Sequence, residues 1–226
     1  MNISEAIDFL NFWIAKEKGS YFTPEECIEV IDRGQMAFYN DIKPKYAVSQ
    51  LVKDTLSPFR ARYDFSPANT ISGLITIPSN SNYLDLLDIQ IEYQISNRTV
   101  YAAIPVVNED TRADRLRSQI DPVTITSPIA EQYAPRVFRM YPTSGYTGTI
   151  TYLRRPIKPV FAYNLISGRT IVYDAANSTQ LEWRETEITP ILLKGLSSLG
   201  INLSAADVSQ FAEMKTQQNY QGVNNF

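Results

Sequence analysis

Apolar residues recur at helical spacing near both ends of this chain and at every second residue through its middle, and that double change of period restricts the folds open to it. Neither an all-helical bundle nor a pure sandwich accommodates both patterns. The predicted class is α+β, with N- and C-terminal helices packed together as a helical layer and a mostly antiparallel β-domain inserted between them.

The first period runs from Asn2 to Lys18, where Ile3, Ala6, Ile7, Leu10, Trp13 and Ile14 form one stripe and Gly19 supplies a stop. Phe9 and Phe12 lie off that stripe and widen the apolar surface. They imply either a second contact, such as another subunit, or cover for a neighbouring loop. A second helix then opens with every local signal in agreement. Thr23 caps it, Pro24 takes the first helical position, Glu26 completes a capping box, and Phe22 and Cys27 occupy the staple positions. From Pro24 to about Tyr39, the residues Cys27, Val30, Ile31, Gly34, Ala37 and Phe38 face the core. Glycine inside a helix costs about 1 kcal/mol relative to alanine, so Gly34 predicts another backbone passing close by. A shorter helix over Lys45–Asp54 completes an N-terminal helical part over 1–56. Residues 57–69, with Pro58 and Pro67, read as a linker.

A β-rich domain is expected over 70–183. Its clearest strand alternates Leu87, Ile89, Ile91, Tyr93 and Ile95 with polar residues, and 71–77 and 100–106 are the expected partners. A short charged helix falls near 108–118. Further strands are expected at 123–126, 136–141, 148–153 and 170–173. The helical period returns over 184–218, where Ile188, Ile191, Leu192, Leu196 and Leu199 make a stripe. Gly200 takes the left-handed position and Ile201 reaches back to Leu196. Ser204 opens a last helix, and an extended polar tail, 219–226, carries Tyr220 and Phe226.

Composition removes most enzyme chemistries. The chain contains no histidine, which excludes Ser-His and Cys-His nucleophile pairs and imidazole metal sites. With no histidine to activate it, Cys27 on an apolar helix face reads as a buried inert thiol. Acidic groups at Glu25, Glu26 and Glu29, at Asp85 and Asp88, and at Glu182, Glu185 and Glu187 have no accompanying motif. Neither catalytic residue, cofactor nor metal is therefore expected. One cysteine and no basic-then-apolar leader give an expectation of synthesis in a reducing cytoplasm. No apolar run approaches the roughly 20 residues of a membrane helix, so no membrane partner is expected.

A net charge of −3 argues against a general sleeve for nucleic acid, yet one zone is basic. Between Gln132 and Tyr173 stand Arg136, Arg139, Arg154, Arg155, Lys158 and Arg169, interleaved with tyrosines and with no acidic residue. Either this is a contact surface, for protein in preference to nucleic acid, or the arginines stack on their tyrosines and pair with acids elsewhere in the fold. A nucleic-acid-binding module using Arg136, Arg139, Arg154, Arg155 and Lys158 is the alternative functional reading.

Three strings carry a family resemblance: KGSYFTPEE at Lys18–Glu26, RGQMAFYNDI at Arg33–Ile42, and WRETEITPILLKGLSSLGINLSAADVSQFAEMK at Trp183–Lys215. They resemble the head-to-tail connector, or ring, proteins of short-tailed crAss-like phages and are similar to connectors of the tail tubular type. The resemblance covers both ends of the chain, while the middle matches only in character. It implies terminal helices packed together around an inserted β-domain, and a dodecameric homo-oligomeric ring seated on the portal protein at the portal vertex of the virion. It also implies a structural role without catalysis: extending the DNA channel, docking tail or other ring proteins and helping to retain the packaged genome, with DNA passing without sequence-specific binding. On that reading Phe9, Phe12, Trp13, Tyr220 and Phe226 are the expected contacts with neighbouring subunits or portal.

Overall fold

A computed structural model of the chain describes residues 1–69, 72–95, 98–143, 146–166 and 170–201. In chain order the first elements are α1 (Ile3–Lys18), α2 (Pro24–Ile42), α3 (Gln50–Thr55), β1 (Arg60–Phe65), β2 (Leu74–Thr76), β3 (Tyr83–Ile95), β4 (Arg98–Ala103) and β5 (Val106–Val107). They are followed by α4 (Glu109–Arg117), β6 (Ile129–Ala134), β7 (Val137–Tyr141), β8 (Thr147–Arg154), β9 (Tyr163–Ile166), β10 (Thr170–Tyr173) and α5 (Glu185–Ser198). The chain is α+β. It divides into two compact units, one formed by Met1–Thr55 with the chain from Pro156 onward, the other by Leu56–Arg155.

In the helical unit the predicted corner forms in full. The Thr23 hydroxyl accepts from the Glu26 amide, and the Glu26 carboxylate accepts from the Thr23 amide at 2.8 Å. Asn2 and Glu5 make a second capping box at the start of α1, from an Asn-x-x-Glu signal present in the sequence. Gly19 ends α1 at φ 66°, donating to Ala15. The close of α5 is a Schellman motif. Gly200, at φ 78°, donates to Ser197, and Ile201 donates to Leu196, whose side chain is buried with it.

The predicted α1 stripe is buried throughout, sharing one core with Cys27, Val30 and Ile31 of α2 and Ile188, Leu192 and Leu196 of α5. Two small residues set the α2–α5 approach. A β-carbon on Gly34 would stand 2.3 Å from the Ile191 carbonyl oxygen, and one on Gly195 would stand 2.8 Å from that of Val30. The backbone predicted to pass Gly34 is therefore α5. Along α2 the assignment shifts: Ala37 is exposed, Phe38 is half-buried, and Ile28, Gln35 and Tyr39 are buried. Gln35 satisfies its amide by donating to Asp32 and to the Ile157 carbonyl and by accepting from the Trp183 indole N–H at 3.2 Å.

The β-unit is two four-stranded sheets sharing one core. Their orders are β1-β8-β3-β4, antiparallel throughout, and β2-β7-β6-β5, in which β5 and β6 run parallel. Phe65, Ile89, Ile91 and Ile150 from the first sheet meet Ile75, Ala130, Phe138 and Met140 from the second.

Four expectations are corrected here. The expected linker contains a strand, because Arg60, Arg62 and Asp64 alternate with Ala61, Tyr63 and Phe65, and the two prolines merely bound it. β2 pairs with β7, in the other sheet from β3. Residues 123–126 form no strand. The β-unit closes at Arg155, so the β9–β10 hairpin belongs to the helical unit, where Phe161 and Tyr173 pack on its core. The last helix from Ser204, the tail with Tyr220 and Phe226, and Arg169 lie outside the described residues.

Candidate functional site

Alternation in β1, β8 and β3 turns one set of side chains away from the sandwich core, and the antiparallel register lines them up in rows. Arg62 and Asp88 flank Thr151, Asp64 and Gln90 flank Thr149, and Glu92 lies between Thr147 and Tyr101 of β4. The middle strand carries short threonines where its neighbours carry long side chains. The outcome is a polar trough of about 350 Å³ running along β8.

Two hydrogen bonds order the trough. The Thr149 hydroxyl donates to Asp64 at 2.7 Å, and the Gln90 amide donates to Asp88 at 2.7 Å. At its base the three strands approach tightly. A β-carbon on Gly148 would lie 2.2 Å from the Gln90 carbonyl oxygen and 2.6 Å from the Phe65 ring, its cross-strand neighbour. Among the described residues Arg60, Arg62 and Glu92 form no ion pair. Tyr101 keeps 68% of its surface in water. No local sequence pattern marks this face, because its residues come from four strands that are brought side by side only by long-range pairing.

Elsewhere on the β-unit, polar contacts act as anchors. Arg112 of α4 donates to both oxygens of Glu131 on β6, at 2.9 and 2.8 Å, beneath the Tyr141 hydroxyl. This fastens a helix that buries none of its own residues.

The structure distributes the five predicted basic residues. Arg136 lies in the β6–β7 turn at φ 64°, and Arg139 on β7 stacks over Tyr133 at 4.2 Å. Arg154, at the end of β8 in the opposite sheet, donates to the Pro58 carbonyl at 3.2 Å and lies over Phe59. Arg155 follows it, exposed. Lys158 belongs to the helical unit, where it pairs with Glu29 of α2. Stacking and internal pairing thus occupy much of this charge, so these residues do not make one common strand surface.

The expected aromatic contacts on α1 are corrected as well. Phe9 and Trp13 are each 1% exposed and belong to the core, and Phe12 is half-buried against it, edge-on to Trp13 at 5.0 Å. Phe161, Tyr173 and Leu181 pack against the shared core of α1, α2 and α5 to which Phe9 and Trp13 belong. Cys27 is buried, and desolvation followed by the charges of Glu26 and Glu25 pushes its thiol up to about 12. At the start of α2, the Glu25 carboxyl is held below the usual carboxylate range by its own backbone amide and by the Tyr163 hydroxyl at 3.0 Å.

Among the described residues no group of three or more Asp, Glu or Cys side chains is placed to hold a metal ion. No helix there is long and apolar enough to cross a membrane. No family model and no curated protein matches the chain.

Proposed function

We propose that this protein is a structural subunit of a phage head-to-tail connector, assembling as a homo-oligomeric ring on the portal protein, where it extends the DNA channel and docks tail components. The observation that carries this reading is apolar surface left in water on both units. On the helical unit, Leu165 and Ile171 are direct cross-strand partners on the β9–β10 hairpin and are 56% and 47% exposed. On the β-unit, Leu116, Ile120 and Ile125 are exposed along α4 and the loop after it, Ile120 almost completely. Side chains of this kind gain stability when a neighbour covers them. The architecture supports the same reading, since helices from both ends of the chain share one core and the β-unit is inserted between them in sequence.

The test is co-purification with the portal protein of the same phage. The full chain is expected to bind portal and sediment as a multi-subunit complex. A Leu165→Asp/Ile171→Asp variant, with unchanged circular dichroism, is expected to lose subunit association. A chain that neither self-associates nor binds portal would refute the proposal.

A further inference from the structure

We propose that the trough on the outer face of the β1-β8-β3-β4 sheet binds a neutral oligosaccharide. Its volume, about 350 Å³, falls in the range of ligand sites, roughly 300–1,000 Å³. Most such sites are lined by apolar groups, and this one is not. Its floor is threonine hydroxyls and its walls are guanidinium, carboxylate and amide groups. An apolar ligand would strand those groups without partners, at a cost for each buried one.

Charge narrows the choice further. Arg60 and Arg62 on one wall are balanced by Asp64 and Glu92 in the lining, and Asp88 beside Gln90 adds one further negative charge at its margin, so the trough is close to neutral and does not favour an anion. A phosphate backbone meets the two carboxylates, and a polycation meets the two guanidiniums. An added peptide strand pairs with a sheet edge, whereas this trough lies on a sheet face. A polyhydroxylated neutral ligand satisfies what remains. Planar carboxylate, guanidinium and Gln90 amide groups offer paired donors and acceptors that match vicinal hydroxyls. Tyr101, opposite Glu92 on the edge strand, offers an exposed ring to the C–H face of a pyranose. This site is independent of the connector reading, because either can fail while the other stands.

The experiment is saturation-transfer NMR on the full chain, a ligand-observed readout that does not depend on the size of the assembly. The probes are maltohexaose, cellohexaose, mannohexaose and xylohexaose, with a heparin hexasaccharide as the anionic comparison. At least one neutral hexasaccharide is expected to receive saturation and to bind at millimolar concentration or tighter. Tyr101→Ala and Gln90→Ala are each expected to weaken that binding about tenfold. Tyr21→Ala, at an exposed tyrosine of the other unit, is expected to leave it unchanged. No transfer to any neutral probe, transfer unaltered by both trough variants, or preference for the heparin fragment would overturn the inference.

Discussion

Gly34 and Gly195 are where single atoms decide the helical unit. Adding a methyl group at Gly34 improves intrinsic helix propensity by about 1 kcal/mol, but it would bring carbon within 2.3 Å of the Ile191 carbonyl oxygen. Sterics win, because α5 has to move as a body to make room. Gly34→Ala is expected to lower the unfolding free energy by about 1–3 kcal/mol, measured by urea denaturation; unchanged or increased stability would show that the crossing is looser than described. Cys27 gives a second check at this scale. Burial pushes its thiol up to about 12 from the 9.0 of an unperturbed thiol, so below pH 9 the native state holds far less thiolate than the unfolded chain. Iodoacetamide labelling of native protein at pH 8 is expected to be slower than labelling in urea by at least about a hundredfold. The folded pKa is the raised one, so this contribution to stability is intact below pH 9 and is lost as pH climbs toward 12.

Among elements, α4 is held by polar side-chain contacts, Arg112 on Glu131 and Arg115 on Ser127 and Asp121. Nine residues with none buried form a helix too short to persist alone, and Arg112 on Glu131 ties it to β6. Arg112→Ala is expected to speed amide exchange across Glu109–Arg117 while leaving β6 and β7 protected, and Arg112→Lys is expected to restore part of the protection. Unchanged exchange in α4 would contradict this. How far the sequence reveals an element follows from where its determining forces act. The α2 cap, the α1 stripe and the α5 Schellman close were legible because each is set within a few residues. So was the need for a backbone beside Gly34, though not that α5 supplies it. β1 was legible in its alternation but was hidden by flanking prolines. The pairing of β2 with β7 is set by long-range closure of the sandwich, which no local pattern reports. The trough was illegible for the same reason, since its rows exist only once β1, β8, β3 and β4 are in register.

At the scale of the whole molecule, the aromatic surplus read on α1 goes into the core of the helical unit, where Phe9 and Trp13 are buried and Phe12 packs against them. Among the described residues, exposed apolar side chains include Leu165 and Ile171 on the β9–β10 hairpin, Leu116 and Ile120 around α4, and Val48 and Leu51 at α3. If the protein is the connector subunit proposed above, these side chains are where a neighbour is expected to seat. The most direct measurement is negative-stain microscopy of the full chain mixed with the portal protein of the same phage. The account predicts closed rings of this protein seated on one face of the portal. A field of bare portals beside unassociated monomers would contradict it.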